Sequence, residues 1–249
     1  IKDLPQDDGR LTLAFSRIYD SANQTVFFQV EEGGSVGDIY GTGYLKNADG
    51  KFLITDDGRL IADNTLKKLG NYNPDFTLGW NNSFNYKDWN ASFLFDWRQG
   101  GEIVSRTRAL GNVGGQLAET SFRPDAGIVA QGVNNTTGLP NTVAVTPESY
   151  YRQFYDRNHE ENNIYDASFL KLRQVSIGYT LKLNEGFLGL KDESNMNFSV
   201  IGNNLFVITE NPHFDPEQLA VQGNGFVSGV EDMSYATSRS LGFKVSFNF

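Results

Sequence analysis

Hydrophobic and polar residues alternate along several segments of the chain, and the last segment shows this most clearly. From residue 241 to the end every odd position is apolar, namely Leu241, Phe243, Val245, Phe247 and Phe249, whereas the even positions are small or polar. Side chains of a β-strand alternate between two faces, so the pattern predicts a strand with one apolar face. A terminal phenylalanine suits a strand whose outer face meets lipid. An edge strand of a soluble sandwich would show the same alternation.

The same period of two predicts strands at residues 10–19, 76–86, 88–98, 166–182, 195–208 and 238–249. These lengths are near the roughly 9–11 residues with which a tilted strand crosses an outer membrane. Between the second and third segments, Lys87 and Asp88 leave room only for a tight hairpin turn. In residues 166–182 the apolar positions change face. A β-bulge near Arg173 or Gln174 would restore the alternation; otherwise the upper half of this strand rises beyond the membrane.

The connections between these segments differ in length. Long loops are expected at residues 20–75, 99–165 and 209–237, and short turns at 87–88 and 183–194. If Phe249 marks the periplasmic end and strand direction alternates, all short turns fall on the periplasmic side and all long loops outside. This is the asymmetry of transmembrane barrels. Trp80, Trp89 and Trp97 then fit an interfacial aromatic girdle, although core packing in a sandwich would also place aromatic residues on one face.

Composition narrows the classes of function. The net charge of −9 argues against nucleic-acid binding, and the lack of cysteine excludes disulfides, thiolate metal sites and a cysteine nucleophile. No run of about 18 apolar residues predicts a membrane helix. We therefore predict an all-β chain in a transmembrane antiparallel barrel. Because six strands are too few to close a barrel, and the chain begins at Ile1 without a leader, we expect it to be the C-terminal segment of a larger one.

Several motifs, in order, resemble SusC/RagA-type TonB-dependent outer-membrane transporters. Residues 166–181, DASFLKLRQVSIGYTL, resemble the family's "SFLRLKNVSLGYTLP" type of strand, and GNNLF at 202–206 followed by DPE at 215–217 is similar to its "GxNLxxxT…DPE" segment. GNYNPDFTLG at 70–79 with GGEI at 100–103, GIVAQGV at 127–133 and TPESYY at 146–151 also match in order. The chain departs from the family pattern at Lys182 and Ala236, where the family often has proline.

The resemblance implies a fold, a function and partners. It implies that the chain supplies about the last six strands of a plugged barrel of about 22 strands, in the outer membrane of a Bacteroidota-type Gram-negative cell. It also implies import of glycans or peptides, a SusD-like surface lipoprotein as partner, and energy from TonB acting through the plug. The N-terminal plug and the TonB-contacting part are not expected within this chain. The alternatives are a soluble secreted carbohydrate-binding sandwich and a non-transporting barrel such as an adhesin.

The candidate site residues lie at one end of a strand and in a long loop. Asp96 and Arg98 would face the lumen, where they would contact substrate or plug, or pair with neighbouring charges. Thr146 and Pro147 predict the start of a short helix, and a second helix is expected within residues 102–118. Tyr150, Tyr151 and Tyr155 on the first helix would stack on substrate or pack the loop against a partner.

The terminal residues Phe247 and Phe249 are expected to act as a barrel-assembly signal. Chemistry is not expected elsewhere in the chain. The two histidines, His159 and His213, lie in predicted loops without an evident nucleophile, and the acidic cluster beside His159 lacks metal-ligand spacing. We therefore predict no catalytic residues, no cofactor and no metal site.

Overall fold

The computed structural model describes residues 9–12, 26–156, 158–183, 194–211, 213–222 and 225–248. The architecture is all-β, as predicted, and the chain divides into two compact units. The first, here named the sheet unit, comprises Pro74–Gly100, Ser168–Glu210 and Ala236–Phe249. The second, the loop unit, comprises Ile1–Asn73, Gly101–Ala167 and Asn211–Tyr235.

The described elements are as follows. The strands are β1 Arg10–Thr12, β2 Val26–Glu31, β3 Asp38–Tyr44, β4 Leu53–Ile54, β5 Ala62–Asn71, β6 Phe76–Tyr86, β7 Trp89–Gln99, β8 Glu102–Ser105, β9 Ile128–Val129, β10 Val133–Asn134, β11 Ala144–Val145, β12 Ile164–Asp166, β13 Phe169–Lys182, β14 Asn195–Ile208, β15 Ala220–Gln222, β16 Gly225–Val227, β17 Val230–Glu231 and β18 Ser240–Asn248. The helices are α1 Arg106–Val113 and α2 Pro147–Phe154, with 3₁₀ turns at Ala118–Ser121 and Glu160–Asn163.

The sheet unit is one antiparallel sheet in the order β18-β14-β13-β7-β6. Five of the six segments predicted from alternation form these strands, with ends that differ by three residues or fewer. The predicted turn between β6 and β7 is also present. Lys87 there has a φ of 55°, a conformation that two-residue hairpins require and that is costly for residues other than glycine. The turn after β13, from residue 184 to 193, and Phe249 lie outside the described residues.

The predicted β-bulge in β13 is confirmed. The register with β7 shifts between Leu172 and Gln174, so Arg173 is an extra residue without a partner in that ladder. On the other side, Arg173 stands opposite two residues of β14, of which Asn204 has a φ of 50°. The extra residue changes the parity of β13. As a result Leu172, like Val175, lies in register with phenylalanines on the apolar face of β7.

That apolar face is exposed within the sheet unit and forms a band with aromatic residues at both ends. Phe84, Val200 and Phe243 lie on it and are each more than half exposed. Trp89 packs against Tyr179 at one end, and Trp97 packs against Phe76 at the other. Trp97 lies eight positions after Trp89 on β7, about 26 Å along the strand. At the strand tilt of about 35–45° in outer-membrane barrels, this length spans a height of about 20 Å, which fits within their apolar band of about 25 Å. A soluble sandwich would cover this face with a second sheet.

The placement of the first predicted strand requires a correction. Its described part, Arg10–Thr12, pairs with β2 in the four-stranded sheet β1-β2-β3-β5 of the loop unit, and not with the five-stranded sheet. The remainder of that segment, residues 13–19, lies outside the described residues. Alternation shows that a segment has two faces, but it carries no information about the strand with which the segment pairs.

The loop unit has its own secondary structure and hydrophobic core. Its largest described cluster of buried apolar residues is formed by Val26, Phe28, Ile39, Val104, Ala220 and Val230. The central strand β8 pairs with β12 on one side and β17 on the other, and α1 follows it directly. Both helices were predicted, and Thr146 caps α2 by accepting a hydrogen bond from the Ser149 amide. None of the helices among the described residues is long and apolar enough to cross a membrane.

Candidate functional site

Asp96 and Arg98 lie on β7, on the face opposite the apolar band. One carboxylate oxygen of Asp96 accepts two hydrogen bonds from Arg173, one from Nε at 2.9 Å and one from Nη2 at 2.6 Å. The bulge described above supplies this arginine. Next to them, the Lys171 ammonium lies 4.8 Å from the centre of the Phe169 ring. The polar face therefore carries a cluster of charges held by strand register. Its contact with substrate stays a prediction.

The Asp96–Arg173 ion pair leads to a measurable coupling. Both side chains are partly buried, so we expect Asp96→Asn and Arg173→Gln each to destabilise the native protein that carries this segment. The double variant should lose about 1 kcal/mol less free energy of unfolding than the sum of the losses of the two single variants. The measurement is denaturant unfolding in lipid vesicles, followed by tryptophan fluorescence. A coupling indistinguishable from zero would show that the pair is not formed.

The three predicted tyrosines of the loop helix have different surroundings. Tyr151 is buried, and its hydroxyl lies 2.8 Å from the carbonyl oxygen of Glu119 and 3.0 Å from that of Phe122. Tyr150 stacks on Phe154 with ring centres 5.7 Å apart, and Tyr155 contacts the same ring edge-on. Burial raises the pKa of both Tyr150 and Tyr155. Tyr151 thus fastens α2 to the segment after α1, whereas Tyr150 and Tyr155 belong to an aromatic cluster around Phe154.

Matched substitutions separate these roles. Tyr151→Phe removes the donor to two carbonyl groups and should reduce the local stability of α2 by about 1–2 kcal/mol. Tyr150→Phe should change it by less than about 0.5 kcal/mol, because the ring stack is retained and its hydroxyl makes no hydrogen bond among the described residues. Hydrogen–deuterium exchange of peptides covering residues 147–154 would measure both. Equal protection in the two variants would contradict the anchoring role of Tyr151.

The start of α1 is held by two buried carboxylates from distant segments. Ser105 caps the helix and donates its hydroxyl proton to Glu231 at 2.9 Å, and Thr107 also donates to Glu231. Arg106 pairs with Glu160, with 2.7 Å between Nη1 and Oε1. Burial raises the pKa of Glu160 to about 7, although Arg106 and Asn163 lower it. The junction between β8 and α1 is therefore held by the buried carboxyl groups of Glu231 and Glu160.

A third carboxylate organises the segment after α1. Glu119 accepts hydrogen bonds from Arg108 at 2.8 Å and from Asn112 at 3.1 Å, and it pairs with His213. Burial raises the pKa of Glu119, but the hydrogen bonds from these three side chains outweigh it and hold the pKa at about 2. The Arg108 guanidinium also lies 4.4 Å above the Tyr165 ring. His213 is thus a hydrogen-bond partner of Glu119.

A cavity of about 290 Å³ lies between the end of α1 and the start of α2. It is lined by Asn112, Val113, Gly114, Gly115, Arg123, Pro147, Glu148, Tyr151 and Arg152. Asn112 and Tyr151 are buried, whereas the three charged residues are exposed. Of the predicted site residues, only Tyr151 lines it. The sequence offered no signal for Asn112 or Arg123, because the approach of the two helices depends on contacts distant along the chain.

His159 is held by polar neighbours. Its Nδ1 lies 3.2 Å from Asp156, and its Nε2 lies 3.3 Å from Asn64. In the part of the chain that the structure describes, no group of three or more histidine, aspartate or glutamate side chains is placed to hold a metal ion. Of the two predicted assembly residues, Phe247 lies opposite Met196 on the apolar face. Its role in assembly stays a prediction.

Comparison with known proteins supports the resemblance seen in the motifs. The chain is 29% identical over 243 residues to TonB-dependent receptor P3 of Formosa agariphila. This match covers 88% of the present chain and 23% of the receptor. It is 26% identical to TonB-dependent receptor P39 of the same organism, over 97% of this chain and 23% of the relative. The chain thus spans about a quarter of the length of these curated relatives. No family model matches the chain.

Solved structures agree on the fold. A chain of the RagAB peptide importer in its closed-closed state matches with a TM-score of 0.56 and 17% identity. The match covers 95% of the present chain and 25% of the RagAB chain. Its open-open state matches 99% of this chain and 25% of its own, also with a TM-score of 0.56 and with 14% identity. The chain is therefore similar to a segment of a SusC/RagA-type TonB-dependent transporter, as predicted. The curated relatives are TonB-dependent receptors, in agreement with the prediction that the chain is not an enzyme.

Proposed function

We propose that this chain forms part of the wall and the extracellular loops of an outer-membrane importer that is driven by TonB. The observation that carries the proposal is the exposed apolar face of the sheet unit, bounded by aromatic residues, in a chain whose relatives are TonB-dependent receptors. An exposed apolar face of this height is favourable in lipid and unfavourable in water. On this proposal the protein lies in the outer membrane of a Bacteroidota-type cell.

The edges of the sheet support membership in a larger barrel. Among the described strands, β6 and β18 each have a neighbour on one side only. An unpaired backbone group in lipid costs several kcal/mol, so strands outside this segment are expected to pair with both edges. The proposed partners are accordingly the remainder of the barrel and its plug, TonB acting through the plug, and a SusD-like lipoprotein at the loops.

The imported substrate is proposed to be an oligosaccharide or a peptide. Asp96 and Arg98 on the polar face, and Tyr150 and Tyr155 in the aromatic cluster of α2, are the proposed contacts. Charged side chains and partly buried rings suit both substrate classes, since rings stack on sugars and also pack against peptide side chains. Tyr151 contributes by anchoring α2. RagAB is a peptide importer, but its likeness to this chain at 14–17% identity concerns the fold alone, so the proposal retains both substrate classes.

Purification of the native protein from membranes tests the proposal. We expect a tagged copy to fractionate with the outer membrane, to require detergent and to co-purify with a lipoprotein. Mass spectrometry of bound ligands would then distinguish sugars from peptides. Uptake of the identified ligand should stop in a strain without the protein or without TonB, and return on complementation. A protein that is soluble without detergent, or uptake that is unchanged in both strains, would refute importer function.

A further inference from the structure

The charged residues on the strands of the sheet unit are mostly of one sign. The five strands β6, β7, β13, β14 and β18 carry one carboxylate and five cations, namely Asp96, Arg98, Lys171, Arg173, Lys182 and Lys244. The whole chain, in contrast, has 30 acidic and 21 basic residues and a net charge of −9. The strands of the sheet unit therefore have a net charge opposite to that of the chain as a whole.

These charges share the polar face of the sheet. Side chains alternate between the two faces of a strand, so Lys244, between Phe243 and Val245, lies opposite the apolar band. On β13, Lys171 is in register with Asp96, which lies on the polar face of β7. The excess of positive charge thus belongs to one face, and the apolar band has none of it.

Two of the five cations are balanced by carboxylates of the same unit. Arg173 binds Asp96, as described above, and the Lys182 ammonium lies 3.7 Å from Asp88 in the turn before β7. The other three, Arg98, Lys171 and Lys244, add positive charge to the polar face, and the described strands of the sheet unit contain no second carboxylate.

Lys244 is an exposed cation without a counter-ion among the described residues. Its neighbours on the polar face, Gly242, Ser246 and Ser199, are uncharged. A β-carbon at Gly242 would meet only the Ile201 carbonyl oxygen, at 4.0 Å, so the space beside Lys244 is open. An ammonium group in this position is available to an anion that approaches the polar face.

The rest of the polar face is neutral, and parts of it are held by hydrogen bonds. Asn197 donates to the Thr180 hydroxyl at 2.9 Å, and Asn248 donates to the Asn195 amide oxygen at 2.9 Å. The sign of the electrostatic potential at this face is therefore set by its charged residues. A concave surface with charges of one sign concentrates ligands of the opposite sign.

We propose that the polar face of the sheet unit attracts anions and favours substrates that carry carboxylate or sulfate groups. The inference rests on the proposed function, in which this face lines the path of the imported molecule. Sugar acids, sulfated sugars and acidic peptides share this chemistry. A neutral substrate gains nothing from the positive potential, and a cationic substrate is repelled by it.

Cysteine labelling measures the sign of the potential directly, because residues 1–249 contain no cysteine. In the native full-length protein in detergent, Ser246→Cys reports on the surroundings of Lys244, and Thr136→Cys, at an exposed position of the loop unit, is the control. Each variant is labelled with an anionic and with a cationic methanethiosulfonate, and labelled peptides are quantified by mass spectrometry. The ratio of the two rate constants cancels the reactivity of the thiol itself.

The anionic reagent should be favoured on the polar face. We expect the ratio of the anionic to the cationic rate constant to be at least about fivefold higher at position 246 than at position 136. In the Ser246→Cys protein, Lys244→Gln should lower this ratio by at least about twofold. The same change at an exposed position of the loop unit, Lys51→Gln, should leave it unchanged. An equal or lower ratio at position 246 than at position 136 would overturn the proposal.

The charge of the imported molecule tests the substrate class separately. Mass spectrometry of the ligand that co-purifies with the native protein should identify a molecule with net negative charge, and it distinguishes a sugar acid or sulfated sugar from an acidic peptide. A neutral or cationic ligand whose uptake requires the protein and TonB would overturn this inference and leave importer function intact. Failure of the proposed function is distinguishable, because uptake would then be unchanged in strains without the protein or without TonB.

Discussion

Replacing Phe243 with arginine is expected to lower the free energy of unfolding of the native protein in lipid by about 2–4 kcal/mol. Phe243 lies on β18, is 67% exposed on the apolar face, and stands opposite Val200. It lies inside the band whose ends are marked by Trp89 and Trp97. A guanidinium at this depth loses its hydration, and the substitution also removes the contact between Phe243 and the Phe198 ring. Unfolding in guanidinium chloride, with the protein in lipid vesicles, measures the loss.

A substitution on the opposite face of the same strand is the control. Ser246 lies on the polar face of β18, which already carries Lys244, so Ser246→Arg should change the free energy of unfolding by less than about 1 kcal/mol. The two variants have the same added charge and nearly the same place in the strand. If both variants destabilise the protein equally, the assignment of one face of β18 to lipid and the other to a polar environment is wrong.

The sheet unit could be predicted in detail because its signals are local. Period-two alternation located β6, β7 and β14 closely, and the change of face in β13 located the bulge at Arg173. Thr146 and Pro147 predicted the start of α2 for the same reason, since capping depends on residues within one turn. Every one of these features is encoded within about ten residues of sequence.

The loop unit could not be predicted in this way because its structure depends on distant pairs. Residues 20–75 were expected to be a loop, yet they contain β2, β3 and β5 of a four-stranded sheet. Glu160 belongs to the acidic cluster beside His159 in a predicted loop, and its partner Arg106 is 54 residues away. Asn112 and Arg123 line a cavity only because α2 packs beside α1. Composition and periodicity do not report such contacts.

The second large effect is expected from breaking the buried ion pair between Arg106 and Glu160. Arg106→Met should reduce the stability of the loop unit by about 3–5 kcal/mol near pH 9, because it leaves the Glu160 carboxylate buried without its cation. Protection of residues 105–113 against hydrogen–deuterium exchange measures the loss. Arg106→Met combined with Glu160→Leu removes both charges at similar volume. This double variant should recover most of the protection.

The dependence of this effect on pH follows from the direction of the pKa shift. Burial raises the pKa of Glu160 to about 7 in the folded protein, above its ordinary value of 4.5. The folded state therefore holds the proton more tightly, and the contribution of Glu160 to stability is most favourable below 4.5 and declines as the pH rises through 7. Loss of Arg106 raises this pKa further. The stability of the single variant should thus be closest to that of the wild type near pH 5 and furthest from it near pH 9. In the double variant this site has no titrating group, so it should add no dependence of stability on pH. An equal loss at both pH values would show that Arg106 stabilises α1 by packing and not by its charge.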